Sequence, residues 1–274
     1  MNLATQRTVS NMPIGPARMP ILAHIGELRR RLVVIVVCMV ISLIALYLVA
    51  PQLTEFLKQP IKEFLPNDGQ LYTLGAFEGF SLKVRVALFA SFVVCSPIIF
   101  WEILAFFMPA LKPKEQKFVL PTFFVAVILF VIGMIFCYMF CLGPAFQWLT
   151  GESNSIADVL PQAQNYIHYV MLFLIAFGCA FELPLIVFYL VWFDVIPYKK
   201  LRQSWRVVYV VLLVFSAMVT PDASPVTMGI MFAALIFLYE LSLACARIGM
   251  SRRIKRNAEE AKRREEAEAA GEDY

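Results

Sequence analysis

The residues of this chain that could do chemistry are carboxylates in unusual company. Glu27 stands in His24-Ile25-Gly26-Glu27-Leu28-Arg29-Arg30-Arg31-Leu32, a lone acid in a basic collar that ends where a long apolar run begins. Glu115 stands in Pro109-Ala110-Leu111-Lys112-Pro113-Lys114-Glu115-Gln116-Lys117, between two other apolar runs. A carboxylate can meet a planar guanidinium through two parallel hydrogen bonds, so a displayed pair of acids suits a cationic ligand. Local pairing is the competing reading. Glu27 reaches Arg30 or Arg31 at i+3 and i+4 and Glu115 has lysine neighbours, and such surface pairs are worth only about 0–1 kcal/mol.

A third acid, Glu182, lies near the middle of an apolar run in Phe177-Gly178-Cys179-Ala180-Phe181-Glu182-Leu183-Pro184. An ionisable group at membrane depth is costly and by default faces a cavity or a partner. The alternative is a protonated acid hydrogen-bonded inside the bundle. Pro184 frees backbone groups nearby and is expected to kink the helix. Glu102 and Glu240 lie toward the ends of their runs, where a long side chain reaches the interface. Asp222, in a turn, suits the capping of the helix that follows.

These acids must be positioned by membrane helices. The chain of 274 residues is 60% hydrophobic and only 16% charged, with a mean hydropathy of +0.72, whereas a soluble domain is about half apolar and a quarter charged. Runs of about 20 apolar residues can span a bilayer. Four meet that length: Leu32–Ala50, Val86–Met108, Phe118–Leu142 and Tyr166–Phe193. Two more, Val207–Val219 and Val226–Ala246, flank a tight turn at Thr220-Pro221-Asp222-Ala223-Ser224-Pro225. The fifth is short, about 20 Å against a hydrocarbon core of about 30 Å, so it must borrow flanking residues or thin the bilayer.

Charge sets the orientation. Of the 24 lysines and arginines, all but Lys58, Lys62, Lys83 and Arg85 fall on one side of a six-span arrangement. The positive-inside rule then places both termini in the cytoplasm. Residues 1–23, with three prolines and no apolar core, read as a flexible cytoplasmic arm rather than a cleavable signal. Residues 24–246 form the membrane domain and 247–274 a charged cytoplasmic tail. The first outer loop, about residues 51–82, carries Pro51, Pro60 and Pro66 among apolar residues and is expected to fold against the membrane.

No phosphate-binding loop, nucleophile elbow or metal-ligand spacing occurs. No cofactor is therefore expected, and energy for any transport must come from a partner or from the membrane potential. The six cysteines lie in or at the ends of apolar runs and read as small hydrophobes.

Taken in order, these residues resemble the C-subunit family of the twin-arginine protein translocase. The family opens with His-Leu-x-Glu-Leu-Arg, here His24-Ile25-Gly26-Glu27-Leu28-Arg29 with Ile for Leu. Four patterns follow: Phe77-Glu78-Gly79-Phe80 with Lys83; Ser96-Pro97 through Ala105-Phe106, Pro109-Ala110-Leu111 and Glu115; Phe177-Gly178 through Phe181-Glu182-Leu183-Pro184; and Thr220-Pro221-Asp222, where the family often has a second proline. Five motifs in order cover about residues 24–246.

The resemblance implies an all-helical membrane protein, a cupped bundle of six spans with two short final helices. It implies a non-enzymatic receptor for signal peptides carrying consecutive arginines, in the prokaryotic inner membrane. Such a subunit helps to export folded proteins on the proton-motive force, with small single-span partner subunits and further copies of itself. It makes Glu27, Arg29, Phe106 and Glu115 the candidate signal-peptide site. It makes Glu182, Asp222, Pro60 and Glu240 candidate intramembrane or partner contacts. The rival class is a proton-coupled transporter of small solutes, with Glu182 as its proton site.

Overall fold

The structure, a computed structural model, describes residues 21–64, 70–108, 116–154, 161–192, 196–220 and 224–249. Among them the chain is all-helical, with five helices long and apolar enough to cross a membrane and one shorter apolar helix.

Helix α1, Ile21–Leu48, runs 28 residues, about 42 Å. It starts well before the apolar run, so HIGELRRRL is not a collar outside the helix but its opening turns. No proline interrupts residues 21–48, and the next one, Pro51, opens helix α2, Ala50–Lys58, where its missing N–H costs nothing. A 3₁₀ segment, Gln59–Phe64, follows. Leu57 and Ile61 are buried, so the described part of this first connection packs against the bundle. Pro60, a candidate partner contact, is half-buried within it.

Helix α3, Ala76–Phe107, is 32 residues long and begins ten residues before its apolar run. The Glu78 side chain secures that extra start. It accepts from the Leu74 backbone N–H at 2.8 Å and from Gln162 Nε2 at 2.9 Å, placing an anion at a helix N-terminus. A short parallel bridge beside it joins Tyr72 to Pro161 and Ala163 at 2.9 and 2.8 Å. Within α3, Pro97 cannot donate to the Val93 carbonyl; the Ser96 hydroxyl donates to it instead at 2.8 Å.

Helix α4, Val119–Phe136, continues through a π-helical turn, Cys137–Cys141, into helix α5, Leu142–Asn154. The third apolar helix therefore outruns its expected end at Leu142. Pro144 lies in the first turn of α5 and lacks an N–H for the preceding turn. The wider turn accommodates it, with the Leu142 N–H reaching the Cys137 carbonyl.

Helix α6, Ala163–Ala180, and helix α7, Leu183–Trp192, are two parts of one apolar span, broken at Phe181 and Glu182. Pro184 has no N–H for the Ala180 carbonyl, which is where α6 ends. Helix α8, Tyr198–Gln203, leads into helix α9, Trp205–Val219, which at 15 residues is the short one. The last helix, α10, Pro225–Gly249, has 25 residues. The expectation of two short final helices thus holds only for the first of them. Ser224 caps α10: its hydroxyl accepts from the Val226 and Thr227 N–H groups at 3.2 and 3.5 Å, and Pro225 takes the first helical position; Asp222, expected in that role, lies outside the described residues.

The core is built on α6, where Ile167, Val170, Phe173 and Phe177 are almost wholly buried. Two glycines let α4 and α6 meet closely. A Cβ on Gly133 would lie 2.6 Å from the Phe177 carbonyl, and one on Gly178 would lie 2.7 Å from the Phe130 ring. Small residues at a seam are the usual means of bringing membrane helices together. All six cysteines are free.

Candidate functional site

Helices α1 and α3 pack antiparallel over much of their length, which brings the opening turns of α1 to the last turns of α3. Glu27 and Arg31 are four residues apart and therefore share one helix face. Arg31 donates to Glu27 Oε1 from Nε at 3.2 Å and from Nη2 at 2.5 Å. Its Nη1 donates to Glu102 Oε2 of α3 at 2.9 Å. All three side chains are shielded without being sealed, with 21% of Glu27, 22% of Arg31 and 15% of Glu102 exposed.

Phe106 follows Glu102 by one turn, on the same face of α3. Its ring lies 5.5 Å from that of Phe107 in an edge-on contact. Arg29, another candidate residue of the signal-peptide site, is exposed. Two residues from Glu27 means about 200° around the helix, so it points away from the face that Glu27 and Arg31 share. Glu115 lies outside the described residues. The ends of its segment are drawn together by Gln116, whose Nε2 donates to the Met108 carbonyl at 3.4 Å.

The other candidates lie elsewhere. Glu240 of α10 accepts from Arg202 of α8 at 2.8 and 3.0 Å and from the Tyr209 hydroxyl of α9 at 2.9 Å. It thus closes an internal contact among three helices. Glu182 occupies the break between α6 and α7. Its carbonyl accepts from the Leu185 and Ile186 N–H groups at 3.0 and 3.1 Å, and its Oε1 is buried without a hydrogen-bond partner among the described residues. Asp222 lies outside the described residues.

Sequence reasoning missed Arg31 and Glu102 as members of the site. The i+4 spacing of Glu27 and Arg31 was the signal for the first. The second is 71 residues away and had none beyond its place near the end of an apolar run.

The chain as a whole has counterparts among known proteins. The family description "Sec-independent protein translocase protein (TatC)" matches residues 23–233. The chain belongs to that family. It is 30% identical to the Sec-independent protein translocase protein TatC of Deinococcus radiodurans over 246 residues, covering 89% of this chain and 91% of that one. It is 30% identical to the TatC protein of Aquifex aeolicus over 227 residues, covering 82% and 93%. A crystal structure of the twin-arginine translocase receptor TatC shares the fold, with a TM-score of 0.68 and 29% identity over 82% of this chain and 98% of that one. Membership makes this chain a membrane component of the protein-translocation pathway. The resemblance seen in the motifs from His24 to Asp222 is thereby borne out.

Proposed function

We propose that this chain is the signal-peptide receptor and core membrane subunit of a twin-arginine translocase. The observation that carries the reading is the Glu27–Arg31–Glu102 junction, where two half-buried carboxylates are held beside one another at one end of the bundle. In a guanidinium-recognising site, Glu27 and Glu115 supply acceptors and Phe106 supplies an apolar face. Charge-assisted hydrogen bonds contribute about 1.5–3 kcal/mol each. Micromolar affinity needs about 8 kcal/mol, so the apolar segment of the signal must contribute as well.

The chain acts with small single-span subunits and with further copies of itself, in the inner membrane, on the proton-motive force. Both termini lie in the cytoplasm, a placement supported by the basic residues around α1, after α3, after α7 and beyond α10. The short α9 serves as the fifth span, with help from the α8 residues and Trp205. Glu182 meets a polar group of a partner helix; its buried Oε1, without a hydrogen-bond partner among the described residues, supports this, because a desolvated polar atom is costly to leave unpaired.

The test is binding of an Arg-Arg signal peptide and its Lys-Lys version to the detergent-solubilised protein. Wild type is expected to prefer Arg-Arg, and the Glu27→Ala, Glu115→Ala double variant to lose the preference. Folded wild-type protein that binds both peptides alike would count against the receptor reading.

A further inference from the structure

Helices α3 and α6 carry the same short pattern near the same end. On one face of α3, Arg85 is followed at i+4 and i+7 by Phe89 and Phe92; on one face of α6, His168 is followed at i+3 and i+7 by Met171 and Ile175. These side chains line one cavity of about 460 Å³, which Met39 of α1 helps to close. The parallel bridge from Tyr72 to Gln162, and the bond from Gln162 to Glu78, tie the starts of the two helices together. Both basic residues therefore head the groove. About 10 Å of apolar wall lies beyond them, seven residues at about 1.5 Å each.

Arg85 lies 17 residues before Glu102 on α3, about 26 Å along the helix. That is nearly the thickness of a hydrocarbon core, about 30 Å, so the groove opens at the membrane face opposite the Glu27–Arg31–Glu102 junction. Lys83 is turned to the Tyr47 ring, whereas Arg85 is exposed and makes no ion pair among the described residues. On its own face of α3 the nearest acid is Glu78, about 10 Å away along the axis. One Glu78 oxygen accepts from the Leu74 N–H and the other from Gln162. Helix α6 has no acid at all.

We propose that this groove holds one anionic phospholipid, its phosphate on the Arg85 guanidinium and the His168 N–H, and one acyl chain along Phe92, Met171 and Ile175. A guanidinium forks onto two phosphate oxygens, and an imidazole keeps an N–H donor whether neutral or charged. Basic pockets between membrane helices suit anionic head groups. A zwitterionic head group offers the same phosphate but brings a second cation to a basic site. The arginines of a signal peptide are excluded on the same ground, and the carboxylates that suit them lie at the other membrane face. The chain of the lipid packs on Met39 and so braces α1, whose apolar window has no buried residue. The groove shares no residue with the proposed signal-peptide site, so either assignment can fail without the other.

The experiment titrates the delipidated full-length protein in detergent with phosphatidylglycerol, with phosphatidylcholine of the same acyl chains and with inorganic phosphate, and counts bound lipid by native mass spectrometry. Wild type is expected to hold one phosphatidylglycerol about fivefold more tightly than phosphatidylcholine, the worth of one cation near a membrane surface. Inorganic phosphate, which has no chain, should not displace it. Arg85→Gln should abolish the preference and His168→Gln reduce it. Lys83→Gln, which removes a cation two residues away and outside the groove, should keep it. Met171→Trp fills the groove and should weaken both lipids. Arg85 and His168 are exposed, so both glutamine variants should keep the wild-type thermal midpoint. Equal affinity of wild type for the two lipids would give the groove to another occupant, a partner helix with an acid at that level, and overturn the proposal. A full preference in Arg85→Gln would overturn it too, as would a loss in Lys83→Gln equal to that in Arg85→Gln, which would reduce the effect to surface charge. Unchanged binding in Met171→Trp, or displacement by inorganic phosphate, would leave an anion site without a chain groove and overturn it as well.

Discussion

Helices α1 and α6 are both apolar and membrane-length, yet they are held in opposite ways. None of the apolar window of α1 is buried, whereas more than half of that of the span formed by α6 and α7 is. Along α1, Ile41 and Ile44 are about two-thirds exposed. Three polar contacts instead fasten α1 to α3. Arg31 meets Glu102 at 2.9 Å, Ser42 Oγ meets Cys95 Sγ at 3.2 Å, and Lys83 lies 4.3 Å from the centre of the Tyr47 ring. The α4–α6 seam is closed by shape: glycine on each helix faces aromatic bulk on the other. The lesson is that the candidate binding acid rides on the membrane-length helix whose apolar window has no buried residue. A seam made of exchangeable polar contacts can change partners, and one made of interlocked volume cannot.

The largest effect should come from breaking the seam of volume. Gly178→Val would put branched carbon against the Phe130 ring, where even a Cβ has only 2.7 Å. Overpacking of this kind costs about 1–3 kcal/mol, and more where the opposing group is a buried ring held on two sides. Phe130 is so held, lying 6.2 Å from Phe92 and 5.5 Å from Phe100 of α3. A thermal midpoint measured in detergent should fall well below that of the wild type. An unchanged midpoint would mean that α4 and α6 can part freely and that volume does not hold this seam.

Much of this architecture was legible in the sequence, because the membrane simplifies the code. Apolar run length announced the helices, and the interruption at Glu182 and Pro184 announced the broken one. Where the reading fell short, the cause was local hydropathy standing in for hydrogen bonding. Lys83 and Arg85 pushed the apparent start of the second span to Val86, although α3 begins at Ala76, held there by Glu78 and its distant partner Gln162. The run at Gly143-Pro144 looked like an end, and a π-helical turn carries the helix past it. The site divided in the same manner. Spacing within α1 offered Arg30 or Arg31 as the partner of Glu27, but Glu102 becomes visible only when α1 is laid along α3.

An intermediate effect is expected at the far end of the α1–α3 seam. Lys83→Met keeps most of the side-chain length and removes the cation above Tyr47, a contact worth about 0.5–1 kcal/mol at an exposed site. The midpoint should fall slightly, and signal-peptide affinity should stay within about twofold. A loss of affinity well beyond that range would show that the seam acts as one unit, and that the three polar contacts are not separately exchangeable.

The smallest effect belongs to Ser42. Its hydroxyl donates to the Met39 carbonyl at 3.1 Å and touches Cys95 Sγ at 3.2 Å, and neither contact is strong. Hydrogen bonds between membrane helices average about 0.6 kcal/mol, and alanine returns a few tenths through its better helix propensity. Ser42→Ala should therefore leave the midpoint within about 0.5 kcal/mol of wild type. Ser42→Leu asks the sharper question, because it adds volume at the same point. On a helix held by volume, it would cost as much as Gly178→Val. On a helix that can yield outward, α1 shifts and the midpoint barely moves, while the distance from Arg31 to Glu102 grows and signal binding falls. A stable Ser42→Leu protein with weakened binding would confirm that α1 is the adjustable wall of the site. An equal loss of stability in Ser42→Leu and Gly178→Val would erase the distinction between the two helices.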